Sequence, residues 1–363
     1  MPLQFCEPCM DSQNSPSVTL PPGAYLLAGN RSPGLSSASR EQAGFSALDL
    51  AVQSANALLL RCGLSAGALD GIVLASSASQ PVDGVRQRLH LSSHTPLQQC
   101  SLGLDAVTRA SQQIRSGDAD LVLVVASDAA SKSSAAPLIE SAKRLAALFE
   151  LADEDAQAYA QACRQRHSEA EQSGLFSPYR ISLFDRQGEV YDTDQPAPDS
   201  GACALLLASA QGCARLKRRP LALLSSQTQA RAPADYPSLA PLLASTRLLQ
   251  TQQLSLNDVD LWELPDTPAL ALLANLAAWQ DARFCERQLE LEQPMGRLDP
   301  TSLNPLGGSL ALGTLPVSGG CRQLLQQADT LQRHALGRAV VCEQQATDQA
   351  QAWLLTRAEE VQA

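Results

Sequence analysis

The 363-residue chain is 45 % hydrophobic and 18 % charged, enough for a large core or for two to three domains. Its net charge of −10, with no basic run longer than Arg215 to Arg219, argues against a nucleic-acid partner. No apolar stretch approaches the ~20 residues of a membrane helix, so no membrane span is expected. Residues 1–22 have neither a basic start nor an apolar centre, and read as a mobile tail and not as a signal peptide. Ten cysteines in such a chain imply free thiols and a reducing, cytoplasmic setting. Cys6 and Cys9 form a lone CxxC pair without a second pair or a nearby His, so no metal site is expected.

In chain order, residues 24–28 read as a strand. Residues 47–62 read as a helix with Leu48, Ala51, Val52, Ala55, Leu58 and Leu59 on one face. Leu64-Ser65, four residues and Asp70 lead into a strand at 72–75. Cys100 sits in a polar run just before an amphipathic helix that begins at Leu102. Residues 121–125, an unbroken apolar run, read as a fully buried strand. Residues 129–197 form a separate segment with one charged helix from Asp153 to about Glu171.

The order then repeats. A strand at 204–207 and a helix at 237–249 precede Leu254-Ser255, four residues, Asp260 and a strand at 261–264. A helix at 269–280, a Gly-rich turn, a helix from Ser318 to about Gln332 and strands at 339–341 and 353–356 complete the chain. The recurring Leu-Ser-x4-Asp-strand signature predicts two duplicated βαβ-type halves; chance likeness of helix–strand units is the competing explanation.

Among the cysteines, Cys100 stands out by its place at the mouth of a helix. Unsatisfied N–H groups and partial positive charge at a helix N-terminus favour a thiolate. A buried, inert thiol is the other reading.

Several runs resemble the thiolase superfamily of acyl-CoA acyltransferases. Cys100-Ser-Leu-Gly103-Leu-Asp-Ala106 is similar to that family's nucleophile turn, and Gly117 to Ser127 to its helix exit and next strand. Asn304-Pro-Leu-Gly307-Gly308-Ser-Leu-Ala-Leu-Gly313 is similar to its Asn-Pro-x-Gly-Gly-x-x-Ala-x-Gly run. The resemblance covers about Gly23 to Thr356. It implies a duplicated α/β/α/β/α sandwich with a shortened loop domain. The segments expected are a tail at 1–22, halves at 23–128 and 198–363, and the loop domain at 129–197.

The resemblance also implies chemistry. Cys100 corresponds to the thiol that accepts an acyl group from a CoA thioester, splitting one hard step into two. Cys342 corresponds to the thiol that moves a proton; a packed strand-end thiol is its other reading. Gly103, Gly313 and Thr314 fall at oxyanion and turn positions. Asn304, Gly307, Gly308 and Arg166 fall in the substrate-binding region. Arg164, Arg166 and Arg180 are compatible with phosphate contacts or with ordinary solvated charge.

The chain also departs from the family. Thr314 stands where the family has a His, and Pro265 where it has an Asn. Glu343, Gln344 and Gln345 replace a Gly-rich turn. Of the histidines, His90, His167 and His334 read as surface or packing residues, and His94 is the best replacement donor by position. Losing one oxyanion donor alone costs about 10²–10³ in rate. Two functions follow: a weakened or altered acyl-CoA acyltransferase, or an inactive homologue serving as a structural or regulatory subunit in fatty-acid metabolism. Either implies a homodimer, or a heteromer with another thiolase or fatty-acid oxidation subunit. CoA enters as a substrate thioester and no cofactor is expected.

Overall fold

The computed structural model describes residues 20–76, 82–128 and 136–358. The Cys6/Cys9 pair and nearly all of the expected tail lie outside them. The chain runs β1 (Tyr25–Arg31), α1 (Ser37–Ala43), α2 (Ala47–Cys62), β2 (Gly71–Ser76), α3 (Val82–Arg88), β3 (Leu97–Cys100), α4 (Gly103–Ser116) and β4 (Leu121–Asp128). A middle segment follows with α5 (Ala136–Leu148), α6 (Asp153–Gln172) and a small hairpin, β5 (Leu183–Phe184) and β6 (Val190–Tyr191). Then come β7 (Gly201–Ala208), α7 (Ala210–Leu216), β8 (Ala222–Arg231), α8 (Ala240–Gln252), β9 (Leu261–Glu263), α9 (Ala269–Gln280) and α10 (Ala282–Gln288). The chain ends with α11 (Gly308–Leu312), α12 (Gly319–Arg333), β10 (Arg338–Ala346) and β11 (Gln349–Arg357).

The strands lie in the order β3-β2-β4-β7-β1-β8-β11-β10-β9. The N-terminal half is β3-β2-β4-β7-β1, and the C-terminal half repeats the pattern in reverse as β8-β11-β10-β9. The halves meet where Tyr25 and Leu26 of β1 pair with Leu223 and Ala222 of β8. A parallel bridge from Trp262 to Leu303 stands where the counterpart of β3 belongs.

The strand expected to open the second half, β7, is hydrogen-bonded antiparallel to both β4 and β1 of the first. The second half opens instead with β8. That strand escapes the sequence pattern because Ser225, Ser226, Gln227, Thr228 and Gln229 dominate its middle.

Five layers result. Helix α2 covers β4 and β7 from outside, and α8 covers β8, β10 and β11. Helices α4 and α12 lie between the halves, with α12 touching strands of both. Leu104, Val107 and Ala110 of α4 and Cys321, Leu324, Leu325, Ala328 and Leu331 of α12 are buried there in one cluster. A helix enclosed on two sides must bury most of its circumference, so α12 also encloses Gln323, Gln326 and Gln327. The α/β/α/β/α sandwich is therefore built around these two helices.

The helix starts and stops are locally encoded. Ser46 and Asp49 form a reciprocal capping box at the start of α2, and Gly63, at φ 67°, ends it. The middle segment holds two helices and not the single one expected. α5 packs on α9 of the second half. The segment is tied to the first half by Asp194, which accepts both Nη groups of the buried Arg31 at 2.7 Å and the Gly34 N–H at 2.7 Å. No single helix among the described residues is long and apolar enough to cross a membrane.

Candidate functional site

Cys100 is the last residue of β3, paired with Ala75 of β2. Helix α4 begins three residues later, at Gly103. The thiol therefore precedes the helix and does not cap it. Its Sγ lies 3.3 Å from Leu102 O and 3.6 Å from Leu74 O, both hydrogen-bond acceptors. Burial pushes the thiol above its ordinary value, outweighing the lowering by the Leu102 backbone and by Arg109, and Asp105 pushes the same way as burial. The expected stabilisation of a thiolate by the helix end is thus outweighed by desolvation.

Cys100 is nonetheless distinct. Of the eight cysteines among the described residues, seven are buried and Cys100 alone is partly accessible. A groove of about 680 Å³ runs along α4, lined by Gln98, Asp105, Thr108, Arg109 and Gln112 among others. Gln98 lies two residues before Cys100 on β3 and so shares its face.

The start of α4 is locked to the start of α12. Gly103 N donates to Val317 O at 3.1 Å. A Cβ at Gly103 would come within 2.3 Å of that oxygen and 2.8 Å of Cys321 Sγ, so only glycine permits the approach. From β4, the buried Asp128 accepts from Val317 N, Ser318 N (both 2.8 Å) and Ser318 Oγ (2.5 Å), capping α12. Arg322 of α12 donates to Leu312 O and Gly313 O, fixing the turn that carries Thr314. Gly313 sits at φ 82° against Pro198. Thr314 itself is exposed.

Cys342 lies on the other face of the sheet. Along β10, Ala339 and Val341 join the central core, whereas Val340 and Cys342 join the outer core under α8. Cys342 is fully buried, with Sγ 3.7 Å from Pro241 O of α8, and burial pushes its thiol up to about 12. The inner face at this level belongs to Glu343. Its Oε1 accepts from Gly320 N at 2.9 Å, and its Oε2 is enclosed without a hydrogen-bond donor. Burial raises the Glu343 carboxyl to about 8. Alternation along the strand could have found this residue, given that β10 continues past Cys342.

Asn304, Gly307, Gly308 and Arg166 gather in a second cluster. Asn304, at φ 44° and fully buried, spends its side chain on Leu264 N and O, Tyr159 OH and Asp266. Asp266 accepts from Ser309 N and Leu310 N, and burial raises it to about 7. A Cβ at Gly308 would meet Asp266 Oδ2 at 2.1 Å, and one at Gly307 would meet Cys163 O at 2.6 Å. Arg166 donates to Leu303 O (2.9 Å), with longer contacts to Asn304 O and Pro300 O. These residues hold α6 against the second half with polar groups already engaged. Arg180 is likewise paired, with Glu171 and Asp194, while Arg164 is exposed. His94 is exposed as well. The sequence reading missed Asp128, Asp266 and Arg322, because a buried polar group looks like any other polar residue until its partners are placed.

Three kinds of comparison bear on this arrangement. The family described as "Thiolase, C-terminal domain" matches residues 218–357. Rat mitochondrial acetyl-CoA acetyltransferase is 29 % identical over 167 residues, 46 % of this chain and 35 % of that protein. The chain thus spans about a third of the length of the curated relatives of this kind. A 3-ketoacyl-CoA thiolase of Yersinia pestis (strain Pestoides F) is 23 % identical over 82 % of this chain and 89 % of its own. The solved structure of an acetyl-CoA acetyltransferase from Syntrophomonas wolfei superposes with a TM-score of 0.77 at 20 % identity, covering 94 % of this chain and all of the other.

Proposed function

We propose, for a chain that belongs to the thiolase superfamily, acyl transfer from acyl-CoA thioesters with Cys100 as the acyl carrier. One observation carries this reading: among the described residues Cys100 is the partly accessible thiol beside seven buried ones, and it ends β3 at the turn into a central helix. The Cys100 thiolate attacks the thioester carbonyl, the new C–S bond forms, and the CoA thiolate leaves and takes up a proton. A second acceptor then removes the acyl group from sulfur.

The chemistry is weakened. Burial pushes the thiol up, outweighing the lowering by the Leu102 backbone and Arg109, so the reactive thiolate is scarce at neutral pH. Thr314 supplies a hydroxyl but no base. β3 ends the strand order with Gln98 and Gln99 exposed, which supports pairing of two copies along that edge. A reducing compartment such as the cytoplasm fits the eight free cysteines among the described residues.

The outward position of Cys342 favours a second reading, a non-catalytic subunit that keeps the fold for assembly. Intact-protein mass spectrometry after incubation with a panel of acyl-CoAs separates the two. A gain of one acyl group, absent in Cys100→Ala, is the outcome expected of the transferase. No gain with any donor, and no CoA binding by calorimetry, leaves the subunit.

A further inference from the structure

The longest basic run of the chain, Arg215 to Arg219, takes no part in the acyl transfer just described. It closes α7, and the fold sets it beside the end of α2. Leu59 and Cys62 of α2 and Cys213 of α7 share one buried cluster, with Leu216 packed against it. Arg218 donates to Arg61 O at 3.2 Å, and Arg61 donates to Pro178 O of the middle segment. Arg61, Arg215, Lys217 and Arg218 are all exposed. Next to Arg61 stands Leu60, at 83 % the most exposed large apolar side chain among the described residues.

Helix ends account for only part of this cluster. A cation in the last turn of a helix is favoured by the dipole, which explains Arg61 and Arg215. Lys217 and Arg218 lie past the last turn of α7, and Leu60 turns away from the core that Leu58 and Leu59 enter. Among the described residues, one acid comes within ion-pair distance of the four cations. It is Asp70, 3.9 Å from Arg215, and the same Oδ2 already accepts from Asp120 N and Leu121 N. In a chain of net charge −10, a positive surface with so little compensation fits an anionic partner. The surface also lies far from the thiol. Asp70 precedes β2, whereas Ala75 near the other end of β2 pairs with Cys100, about 16 Å along the strand.

We propose that the ends of α2 and α7 form a docking surface for an anionic lipid membrane, with Arg61, Arg215, Lys217 and Arg218 on the lipid phosphates and Leu60 in the boundary between headgroups and acyl chains. Cations gather at such a surface, and an apolar side chain raised among them adds to the binding. An acidic polypeptide would satisfy the cations but leave the leucine in water; a membrane takes both. The acidic remainder of the chain is repelled by the same lipids, so the protein meets the membrane by this face and Cys100 stays on the solution side. The inference is independent of acyl transfer.

The experiment is sedimentation of the full chain with vesicles of equal parts phosphatidylcholine and phosphatidylserine, and with vesicles of phosphatidylcholine alone. Binding is expected to the mixed vesicles and not to the neutral ones, and it should fade as salt rises. Lys217→Gln combined with Arg218→Gln should weaken it about 30-fold. Leu60→Ser should weaken it about fivefold and leave the salt dependence unchanged. All three side chains are exposed, and circular dichroism checks that both variants keep the fold. No binding to the mixed vesicles overturns the proposal, as does binding that both variants leave unchanged. Binding to soluble polyglutamate, equal in the wild type and Leu60→Ser and without binding to vesicles, overturns it in favour of an acidic polypeptide.

Discussion

Asp70 and Asp260 do the same work in the two halves. Asp70 Oδ2 accepts from Asp120 N and Leu121 N, both at 2.9 Å, at the start of β4. Asp260 Oδ2 accepts from Gly337 N at 2.8 Å and Arg338 N at 2.9 Å, at the start of β10. Each aspartate precedes a strand, β2 or β9, and ties down the parallel strand beside it. The Leu-Ser-x4-Asp signature thus encodes a repeated piece of hydrogen bonding, which is why it survives in both halves.

Replacing either aspartate by Ala should cost a similar, modest amount, because the carboxylates are partly solvated and water can reach the freed N–H groups. About 1–2 kcal/mol for Asp70→Ala and for Asp260→Ala is expected in urea denaturation, with additive effects in the double variant. A loss at one site and none at the other would show that the two turns are not equivalent.

Gly103→Ala should disrupt the junction of the central helices. The added methyl would fall 2.3 Å from Val317 O, which is backbone capped by Asp128 and cannot retreat freely. A cost of about 1–3 kcal/mol is expected, together with a change in Cys100 alkylation, because the first turn of α4 must move. An unchanged melting temperature would mean that α12 yields more easily than its caps imply.

Cys342→Ala should leave acyl labelling at Cys100 unaffected, since its thiol points into the outer core beneath α8. Its consequence is a stability loss from a small cavity, of about 1 kcal/mol. Loss of labelling with native stability would place Cys342 in the chemistry after all.

An ion cluster ties the middle segment to the first half. Asp194, held down to about 2 by the Arg31 and Arg180 guanidiniums and the Gly34 N–H against the opposing effect of burial, meets an Arg31 that is only 2 % exposed. Removing the carboxylate leaves a buried cation, and Asp194→Ala should cost about 3–5 kcal/mol. A depressed carboxyl contributes stability above its ordinary value of about 4 and loses it as pH falls toward 2. The wild type should therefore lose stability more steeply over that range than the variant in acid titrations followed by circular dichroism.

Glu263 works in the opposite direction. Burial, then Asp266, raises it to about 8, while Gln323 and Gln327 donate to its oxygens. A raised carboxyl is protonated in the folded chain while the unfolded one is already ionised. Its contribution is full below about pH 4.5 and falls away as pH rises toward 8. Glu263→Gln should flatten the decline in melting temperature between pH 5 and 8. A slope identical to that of the wild type would assign the decline to Asp266 or Glu343.

Much of this architecture is legible in the chain. Apolar periodicity marks α2 and α9 at their full observed lengths, and unbroken apolar runs mark the buried cores of β4 and β7. Both kinds of pattern are local, so reading them needs no partner. The motifs around Cys100 and Asn304 carry the fold family for the same reason: glycines at 103, 307, 308 and 313 are required by contacts that leave no room for a Cβ.

Only the tertiary structure decided the rest. β8 is a polar strand whose place is set by its neighbours β1 and β11, and β7 joins the first half through pairing with β4 and β1. Whether Cys342 or Glu343 faces the central helices depends on the phase of β10, and a one-residue change of phase exchanges the two faces. The state of the Cys100 thiol turned on desolvation, which outweighs the Leu102 backbone and Arg109 beside a helix that begins three residues away. The sequence by itself determines which side chains exist at each turn; burial and the hydrogen-bond partners brought by distant strands determine what those side chains can do.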